Sequence, residues 1–333
     1  MKAIVITKAG GPEVLQLREV PAPRPAAGEI LVQVRAAGVN RADILQRKGL
    51  YPAPPGAPAD IPGMEYAGEV AALGAGVGAW KVGDRVMGLV PAGGYAERVT
   101  VSESLALPVP SAWSFEEAAS VPEAFITAYD ALFRQMGLRA PERVLIHAVG
   151  SGVGTAALQL AKAFGARTFG TSRSAAKLER ARALGLEVAI DSSREDFAEV
   201  VKRQTGGAGV DVVFDLVGGP ALAGSIQALS RGGRMIVVGL TGGRSATIDL
   251  GAVLSKRLTL VGTVLRARSL EEKIGVTAHF AAEVLPLFEG GIIGPVVERS
   301  YPLAQAADAH RQLESDAVFG KLVLTCDEAA GGT

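Results

Sequence analysis

The sequence has very little cysteine and no excess of either charge. Cys326 is the single cysteine among 333 residues, which rules out an internal disulfide framework or a cysteine-ligated metal cluster and fits a reducing compartment. Lysine plus arginine and aspartate plus glutamate each number 34, so no net field draws the chain to nucleic acid or to an anionic membrane. Disulfide-stapled modules are therefore excluded, and generic nucleic-acid binders are disfavoured.

Long apolar runs are also missing. The amino-terminal apolar run, Ala3–Ile6, is far shorter than the core of a signal peptide. The charge-free stretch from Val144 to Ala161 approaches the length of a membrane span, but its glycines, His147 and Gln159 argue against a lipid environment. We therefore expect a cytoplasmic protein that has neither a membrane nor a nucleic acid as its partner.

Glycine and apolar residues, by contrast, are plentiful. The chain has 42 glycines and 48% hydrophobic residues, which indicates many tight turns around a sizeable core. A chain of 333 residues is too long for one small core, so two domains are expected.

The first third of the chain has the pattern of β structure. Up to about residue 110, short β-type runs are separated by glycine and proline, as in strands joined by tight turns. This pattern predicts a compact all-β barrel built from the strands Ala3–Ile6, Leu15–Val20, Ile30–Ala36, Tyr66–Ala72, Arg85–Val90 and Tyr95–Val101.

Helices alternate with strands after Ser114. Ser114 and Glu117 have the spacing of a capping box, and a helix is predicted over Ala124–Met136. The strands that follow lack polar alternation, which indicates an α/β fold with a doubly wound parallel sheet buried on both faces. The predicted strands are Val144–Ala148, Ala166–Gly170, Val188–Ile190, Val210–Val217, Arg234–Val238 and Leu258–Val261, and the helices between them are Thr155–Phe164, Ala175–Leu184, Phe197–Gln204 and Ala221–Leu229.

The carboxyl-terminal part of the chain has a mixed pattern. Helices are predicted near Lys273–Phe288 and Leu303–Leu313, and a strand is predicted over Lys321–Leu324. These elements can return to the β-rich part of the chain, so we expect the first domain to be discontinuous.

A glycine-rich turn follows the first strand of the parallel series. Residues 149–156 read Val-Gly-Ser-Gly-Val-Gly-Thr-Ala and open a helix. Such a turn exposes backbone N–H groups and the positive end of the helix dipole to a pyrophosphate. Because the spacing departs from G-x-G-x-x-G, the prediction of dinucleotide binding depends on the strand–turn–helix context. The alternative is a turn that only packs closely.

The end of the second parallel strand lacks the acidic residue that NAD-preferring sites place on the ribose. The strand leads into Ser172 and Arg173, Lys177 follows on the next helix, and no carboxylate appears before Glu179. Two cations and a hydroxyl suit the 2′-phosphate of NADPH. The alternative is that both cations lie on a solvated helix face.

Further motifs extend over nearly the whole chain: Asn40–Asp43 with Gln46–Arg47, Gly49–Tyr51, Trp80–Arg85, Val121–Ala124, Val144–Ala148, Ser151–Ala157 and Leu265–Arg268. Together they resemble the zinc-free quinone oxidoreductase branch of the medium-chain dehydrogenase/reductase superfamily. Within that branch, the sequence is most similar to the p53-inducible quinone oxidoreductase homologues.

The resemblance implies a GroES-like β-barrel domain, residues 1–122 and 266–333, into which a Rossmann domain, residues 123–265, is inserted. It also implies NADPH as the cofactor and a homodimer. Two positions depart from the pattern, because Ser192 stands where near relatives often have tyrosine and Val149 where many have glycine. The cofactor-binding residues that the resemblance implies are Thr127, Gly150, Ser151, Gly152, Val153, Gly154, Ser172, Arg173, Lys177, Ser192, Gly239, Leu240, Leu265 and Arg266.

Zinc-dependent relatives place a cysteine near the Asn40 position and a histidine just before the Glu65 position. This chain has Asn40 and Met64 there, so the resemblance implies that no metal is bound. Its three histidines, His147, His279 and His310, are too scattered in sequence to form a ligand motif of their own. Without zinc, a common means of stabilising an alkoxide is missing, which argues against simple alcohol oxidation.

A metal-free site needs an acceptor that is already electrophilic, such as a quinone or an activated alkene, because the cofactor supplies the hydride. Asn40 is a candidate amide donor to the developing oxyanion, and Tyr51 is a candidate phenol that orients a carbonyl or supplies a proton. On spacing alone, Asn40 fits a turn-stabilising role and Tyr51 a loop aromatic equally well. Asp215 fits a turn or cap residue, and Glu123 an ion-pair residue.

Three functions remain open at this point. The expected one is an NADPH:quinone reductase for small quinones, with ortho-quinones favoured. The second is a reductase of alkenal, enone or enoyl-thioester double bonds, and the third is a non-catalytic NADPH-binding protein. The segment Pro52–Pro62 has no lysine or arginine, which favours a small, flat acceptor over one that has a phosphate-bearing carrier.

Overall fold

A computed structural model describes residues 1–326 of the chain. The chain divides into two compact units. Met1–Ile126 and the segment from Leu265 onward form the first, here called the barrel unit, and Thr127–Val264 form the second, the sheet unit. The sheet unit is therefore inserted, in sequence, into the barrel unit. The resemblance put the boundaries after residues 122 and 265.

The strands alternate with helices mainly in the second half of the chain. In chain order the strands are β1 (Lys2–Ile6), β2 (Leu15–Glu19), β3 (Glu29–Val39), β4 (Glu65–Leu73), β5 (Arg85–Leu89), β6 (Arg98–Ser102), β7 (Ala106–Pro108), β8 (Arg143–Ile146), β9 (Arg167–Ser172), β10 (Val188–Asp191), β11 (Val210–Asp215), β12 (Leu229–Val237), β13 (Thr259–Gly262), β14 (Val297–Pro302) and β15 (Lys321–Thr325).

The α-helices are α1 (Arg41–Arg47), α2 (Phe115–Ala119), α3 (Thr127–Tyr129), α4 (Gly152–Ala163), α5 (Ala175–Ala183), α6 (Phe197–Gln204), α7 (Leu222–Ala228), α8 (Leu250–Lys256), α9 (Leu270–Glu283), α10 (Leu285–Glu289) and α11 (Ala306–Glu314). Short 3-10 turns cover Pro12–Val14, Glu103–Leu105, Gly219–Ala221 and Leu303–Gln305, and π-helical stretches cover Pro122–Ile126 and Asp130–Gln135. In the part of the chain from residue 1 to 326, no helix combines the length and the apolar character that crossing a bilayer requires.

The sheet unit contains a six-stranded parallel sheet in the order β10-β9-β8-β11-β12-β13. Its central strands are buried, and a core cluster includes Leu145, Phe169, Val213 and Met235. This arrangement confirms the predicted doubly wound parallel sheet. The strand order reverses between β8 and β11, and ligands of such sheets bind beyond the carboxyl ends of the strands at that point.

The barrel unit contains a seven-stranded sheet in the order β14-β15-β3-β4-β5-β7, with β6 also paired to β3, and a separate antiparallel pair β1-β2. Strand β15 pairs antiparallel with β3, so that Leu322 lies opposite Val39. The last described strand therefore returns to the β-rich part of the chain, as predicted. It lies beside the strand that ends just before Asn40.

Two predicted helices differ from the observed ones. The helix predicted over Ala124–Met136 covers Pro122–Gln135, and it begins earlier because proline is well tolerated in the first turn of a helix. The helix predicted over Lys273–Phe288 is split into α9 and α10. Pro286 explains the break, because proline lacks an N–H group and its ring clashes with the carbonyl four residues earlier, so that it fits the first turn of α10 but not the interior of a longer helix.

Two strands and two α-helices were not predicted at all: β7, β14, α1 and α8. Helix α1 matters most, because it begins directly after Asn40. The main-chain N–H of Asn40 donates to Asp43 Oδ2 at 2.8 Å, so the Asn-x-x-Asp spacing was a usable signal for the start of a helix. The strand predicted over Tyr95–Val101 begins later, at Arg98.

Candidate functional site

The predicted phosphate-binding residues Gly150–Gly154 lie in the turn after β8 and in the first turn of α4. Ser151 caps α4, because its Oγ accepts a hydrogen bond from the Gly154 N–H at 3.1 Å. A side chain at Gly154 would displace the backbone, since a Cβ there would lie 2.4 Å from the Ala148 carbonyl oxygen. The first N–H groups of a helix have no partner within it. This turn at the carboxyl edge of the sheet therefore suits a pyrophosphate.

Four predicted cofactor residues meet where β9 and β10 end. Ser172 is the last residue of β9, and Ser192 follows β10 and donates its main-chain N–H to the Ser172 carbonyl at 3.1 Å. Arg173 is exposed, and Lys177 is half-buried in the first turn of α5. The structure thus brings two hydroxyl and two cationic residues to one edge of the sheet.

Sequence reasoning missed an acidic residue at the same edge. Asp191 is the register partner of Ser172 in the pairing of β9 with β10. The Asp191 Oδ1 atom accepts hydrogen bonds from the Ser193 hydroxyl at 2.6 Å and the Ser193 N–H at 3.0 Å, and these bonds lower the pKa of Asp191. Asp191 could have been found by pairing the predicted strands β9 and β10 in parallel, which brings their carboxyl ends together. Counting positions along the sequence from the glycine-rich turn does not reveal it.

The buried polar atoms of the sheet unit that have no hydrogen-bond partner among residues 1–326 include Thr127 Oγ1 and Asp215 Oδ2. The other carboxylate oxygen of Asp215 accepts from the N–H groups of Val217 at 2.7 Å and Gly218 at 3.0 Å, so Asp215 stabilises the turn after β11. An unsatisfied buried group is costly unless a ligand or water pairs with it. The Thr127 hydroxyl therefore fits its predicted role toward a cofactor.

The predicted nicotinamide-side residues are divided between the two units. Gly239 and Leu240 follow β12 in the sheet unit, where the Gly239 N–H donates to the Asp215 carbonyl at 3.2 Å and Leu240 is half-exposed. Leu265 and Arg266 are buried in the barrel unit. Three features of the sheet unit fit the phosphates and hydroxyls of a dinucleotide. They are the glycine-rich turn, the cations Arg173 and Lys177, and the Thr127 hydroxyl.

Asn40 lies at the start of α1 and is 9% exposed. Its Nδ2 donates to Glu65 Oε1 at 2.8 Å, and its Oδ1 accepts from Lys321 Nζ at 2.5 Å. Lys321 also donates to Glu65 Oε1 at 2.6 Å, and Glu65 is fully buried. We call Asn40, Glu65 and Lys321 the buried network. Sequence reasoning missed Glu65 and Lys321, although each is a charged residue at the first position of a strand.

The donors at this position do not suit zinc. Protein zinc sites use thiolate, imidazole and carboxylate ligands, whereas Asn40 offers an amide, Met64 a buried thioether and Lys321 an ammonium group that already neutralises Glu65. Throughout residues 1–326, no group of three or more histidine, cysteine, aspartate or glutamate residues is arranged to hold a metal ion. Metal independence itself stays a prediction.

Glu123 lies beside the buried network. Its main-chain N–H donates to Glu65 Oε2 at 2.7 Å. Burial and the negative charge of Glu65 raise the pKa of the Glu123 carboxyl group to about 8, although the Lys321 cation opposes this. Glu123 therefore holds a proton at neutral pH, which is a property of groups that act as general acids.

Asp43 connects the start of α1 to a chain of buried hydrogen bonds. Its carboxylate accepts from the N–H groups of Asn40 at 2.8 Å and Gly63 at 3.1 Å and from the Tyr95 hydroxyl at 3.0 Å. The Tyr95 hydroxyl also lies 3.2 Å from His310 Nε2. Burial raises the pKa of Asp43 to about 6, and the hydrogen bonds oppose this. These contacts hold the start of α1, and with it Asn40, in place.

Tyr51 lies just beyond the other end of α1. Its main-chain N–H donates to the Leu45 carbonyl at 3.3 Å, and its side chain is half-buried. Burial raises the pKa of the Tyr51 phenol, so the phenol carries its proton at neutral pH. The structure therefore places the two predicted catalytic residues at opposite ends of one short helix, Asn40 before its first residue and Tyr51 after its last turn.

Two protein-family models match the chain. The alcohol dehydrogenase GroES-like domain matches residues 26–111, all within the barrel unit, and confirms the GroES-like domain. The zinc-binding dehydrogenase model matches residues 152–280, which include most of the sheet unit. Their order along the chain is that of a GroES-like barrel followed by a Rossmann-like sheet.

Individual relatives cover almost the full length. Quinone oxidoreductase from Rattus norvegicus is 34% identical over 327 residues, which are 97% of each protein. The crystal structure of Escherichia coli quinone oxidoreductase complexed with NADPH superposes with a TM-score of 0.88 at 36% identity, covering 98% of this chain and 100% of that one. The structure of the CurK enoyl reductase has a TM-score of 0.86 at 29% identity, covering 97% and 99%. The chain belongs to the medium-chain dehydrogenase/reductase superfamily of oxidoreductases.

Proposed function

We propose that the protein is a metal-free NADPH:quinone reductase for small quinones, with ortho-quinones favoured. The observation that carries this proposal is the Lys321 ammonium group, which is bonded to Asn40 and to Glu65. Asn40 and Met64, the residue before Glu65, stand at the positions where zinc-dependent relatives have metal ligands. Without a Lewis acid, the acceptor must be electrophilic by itself, as a quinone is. The similarity to quinone oxidoreductases of Rattus norvegicus and Escherichia coli supports the same acceptor class.

We propose NADPH, rather than NADH, as the cofactor that supplies the hydride. Arg173 and Lys177 suit a 2′-phosphate because cations bind phosphate oxygens through charge-assisted hydrogen bonds. The NADPH complex of the Escherichia coli relative supports this choice. The residues proposed to hold the cofactor are Thr127, Gly150–Gly154, Ser172, Arg173, Lys177, Ser192, Gly239, Leu240, Leu265 and Arg266.

Tyr51 is the proposed donor to the acceptor oxygen, which gains negative charge as hydride arrives. Its phenol is protonated at neutral pH because burial raises its pKa. Asn40 is the proposed second donor. Its Nδ2 makes a short hydrogen bond with Glu65 at 2.8 Å and, within the described chain, a long contact of 3.4 Å with the Gly38 carbonyl, so one amide hydrogen is weakly held.

A second candidate function is the reduction of an enal, enone or enoyl-thioester double bond. Such a reaction needs a proton at carbon after hydride transfer. Glu123 favours this candidate, because its carboxyl group is protonated at neutral pH with a pKa of about 8. When Glu123 is ionised, its negative charge raises the pKa of Tyr51, so the two groups interact electrostatically. The similarity to the CurK enoyl reductase also supports it.

A screen of NADPH oxidation separates these functions. Ortho-quinones, para-quinones, enals and enoyl thioesters should be compared by kcat/KM, with NADPH binding measured in parallel by fluorescence. We expect the highest value for an ortho-quinone. Faster turnover of enals or enoyl thioesters would select the second candidate. Binding of NADPH without turnover of any acceptor would contradict both and indicate a non-catalytic NADPH-binding protein.

We also propose that the protein forms a homodimer through the edge of its parallel sheet. Strand β13 is the last strand of that sheet, and exposed edge strands are ready to pair with another chain. Apolar residues nearby are exposed, with Leu254 at 80%, Leu250 at 69% and Val264 at 55%. Sedimentation velocity should show a dimer, which the double change Leu250→Glu and Leu254→Glu should weaken. A monomeric wild-type protein would contradict the proposal.

A further inference from the structure

Arg266 is 7% exposed, and three acceptors of the barrel unit hold its guanidinium group. Nε donates to the Pro91 carbonyl at 2.6 Å, Nη1 to the Tyr51 carbonyl at 3.3 Å, and Nη2 to Gln46 Oε1 at 2.5 Å. A guanidinium group is planar and its donors form a rigid fork. Three acceptors on its different nitrogens therefore fix its orientation.

The same guanidinium group also contacts the ring of Tyr51. Its Cζ atom lies 5.1 Å from the centroid of the Tyr51 ring, within the range of a cation–π interaction. Burial raises the pKa of the Tyr51 phenol, whereas the Arg266 cation lowers it and the Glu123 charge raises it. Asp43 and Lys273 are the other charged groups that face Arg266. Arg266 thus acts on both the main chain and the side chain of Tyr51.

Gln46 extends these contacts along the loop that follows Tyr51. Its Oε1 accepts from Arg266, and its Nε2 donates to the Ala59 carbonyl at 3.1 Å. In the described chain, the segment from α1 to β4 contains neither a helix nor a strand, so side-chain contacts such as these add to its few main-chain hydrogen bonds in fixing its conformation. The loop is held at Tyr51 by Arg266 and at Ala59 by Gln46, and the two side chains bond to each other.

We propose that Arg266 is a positioning residue for Tyr51, which holds the ring and the main chain of that tyrosine in place. The proposal rests on the proposed function, in which Tyr51 donates to the acceptor. It is separate from the cofactor role that the resemblance implies for Arg266. Because an enone needs a proton after hydride transfer and a quinone needs little acid catalysis, enone turnover should depend more strongly on Arg266.

The test uses two changes of Arg266 and one matched control. Arg266→Met removes the cation and its donors, and Arg266→Lys keeps a cation without the fork. Arg85→Met is the control. Arg85 also belongs to the barrel unit, donates to the Ser111 carbonyl at 3.2 Å and the Trp113 carbonyl at 2.5 Å, and lies 4.7 Å from the Phe115 ring centroid. It makes the same kinds of contact around a different aromatic ring.

The first measurement requires no turnover. The five tyrosines are labelled as 3-fluorotyrosine, and the fluorine NMR signal of Tyr51 is assigned by its loss in Tyr51→Phe. We expect Arg266→Met to shift this signal and to raise its titration midpoint by about one pH unit. Arg266→Lys should have a smaller effect in the same direction, and Arg85→Met none.

An unchanged Tyr51 signal in folded Arg266→Met would overturn the proposal, and so would an equal shift in Arg85→Met. Circular dichroism checks that each variant is folded. If Arg266→Met does not fold, Arg266→Lys decides: a shift of the Tyr51 signal supports the proposal, and an unchanged signal overturns it.

The second measurement compares turnover with and without the Tyr51 hydroxyl. In the wild-type background, Arg266→Met should lower kcat for an enone about 10-fold more than kcat for a quinone. In the Tyr51→Phe background, Arg266→Met should lower kcat for the enone by the same factor as kcat for the quinone. An equal enone-specific loss in both backgrounds would overturn the positioning role. If the wild-type protein turns over no acceptor, the proposed function fails, and the NMR result still decides the role of Arg266.

Discussion

The two units carry their polar groups in opposite ways. In the sheet unit, the groups proposed to bind the cofactor come from short continuous segments, residues 150–154 and 172–177, and consist of main-chain N–H groups and accessible side chains. In the barrel unit, Asn40, Glu65 and Lys321 come from three distant segments and are bonded to each other in the interior. The first arrangement leaves its groups available to a ligand. The second uses its charges within the fold, and only the weakly held amide hydrogen of Asn40 is proposed to reach a ligand.

This difference has energetic consequences. Exposed ionic groups contribute little to stability, because water already solvates them. Removing one partner of a buried ion pair is costly, because the remaining charge is left without water or a counter-ion. We therefore expect substitutions at the edge of the parallel sheet to change cofactor affinity while leaving the fold intact. Substitutions in the buried network should change stability and the pKa values of neighbouring groups.

The largest expected effect concerns Tyr51, which belongs to the barrel unit but is half-buried. Tyr51→Phe should lower quinone turnover only modestly, by about 10-fold, because it removes one donor to the developing oxyanion. Enone turnover should fall by ~10²–10⁴-fold if the phenol supplies the proton. Steady-state kinetics with both acceptors measure this, and the KM for NADPH should stay nearly unchanged. Equal losses on both acceptors would reduce Tyr51 to a positioning role, and no loss on either would leave it without a catalytic one.

The next largest effect should come from breaking the buried network. Lys321→Met leaves Glu65 as a buried charge without its partner, and should lower the free energy of unfolding by about 3–5 kcal/mol. Urea unfolding followed by circular dichroism measures this. Adding Glu65→Gln to Lys321→Met should restore part of the loss, because it removes the unpaired charge.

Lys202→Met is the matched control for Lys321→Met in the sheet unit. Lys202 forms an exposed ion pair with Glu199 at 3.8 Å, and the two side chains are 67% and 65% exposed. Its replacement should change the free energy of unfolding by less than about 0.5 kcal/mol. Similar losses for Lys202 and Lys321 would remove the distinction between the two units.

Sequence reasoning succeeded where the signal is local. The apolar strands and the turn at residues 149–156 are continuous in sequence, so the parallel sheet and the glycine-rich turn that leads into α4 could both be predicted. The buried network could not, because Lys321 reaches Glu65 and Asn40 only through the pairing of β15 with β3 and of β3 with β4. Register between distant strands is a property of the tertiary fold.

The same limit explains the other misses. Asp191 was overlooked because its place beside Ser172 depends on the pairing of β9 with β10. Arg266 was associated with the cofactor by resemblance, and its contacts with Gln46 and Tyr51 involve residues that are more than two hundred positions away in sequence. Helix α1 was missed because seven residues are too few to show a clear helical period.

A smaller effect is expected at the edge of the parallel sheet. Lys177→Ala should weaken NADPH binding by about 1.5–3 kcal/mol through the loss of a charge-assisted contact, mainly as an increase in the KM for NADPH. NADH binding and the free energy of unfolding should change little, because Lys177 is half-buried on the surface side of α5. Equal affinity of the wild-type protein for NADPH and NADH would contradict the prediction. A large loss of stability would show that Lys177 has a structural role.

The pH dependence of stability should also distinguish the units. The folded-state pKa of Glu123 is raised from 4.5 to about 8, so the proton on this group stabilises the folded state at low pH, and this contribution is lost as the pH rises from 4.5 through 8. Glu123→Gln stays neutral. Its free energy of unfolding relative to wild type should therefore increase between pH 5 and about pH 8.5, as measured by urea unfolding.

Glu199→Gln, which makes the same change at an exposed position, provides the control for Glu123→Gln. Comparison of each variant with wild type also cancels the contributions of His147 and His310, whose pKa values are shifted as well. A difference for Glu123→Gln that does not change with pH would show that its proton is not coupled to folding.

The smallest expected effect is that of metal removal, which should leave turnover unchanged. Asn40 and Met64 supply an amide and a thioether where zinc would need a thiolate and an imidazole. The Lys321 ammonium group, 2.6 Å from Glu65 and 2.5 Å from Asn40, supplies the positive charge that a metal would otherwise bring to this carboxylate. Quinone-dependent NADPH oxidation before and after exhaustive chelation tests this, with a zinc-dependent alcohol dehydrogenase treated in parallel to show that the chelator works. Stoichiometric zinc by elemental analysis, together with activity lost on its removal, would mean that the buried network rearranges to bind a metal. The barrel unit would then, like the sheet unit, offer its polar groups to a ligand.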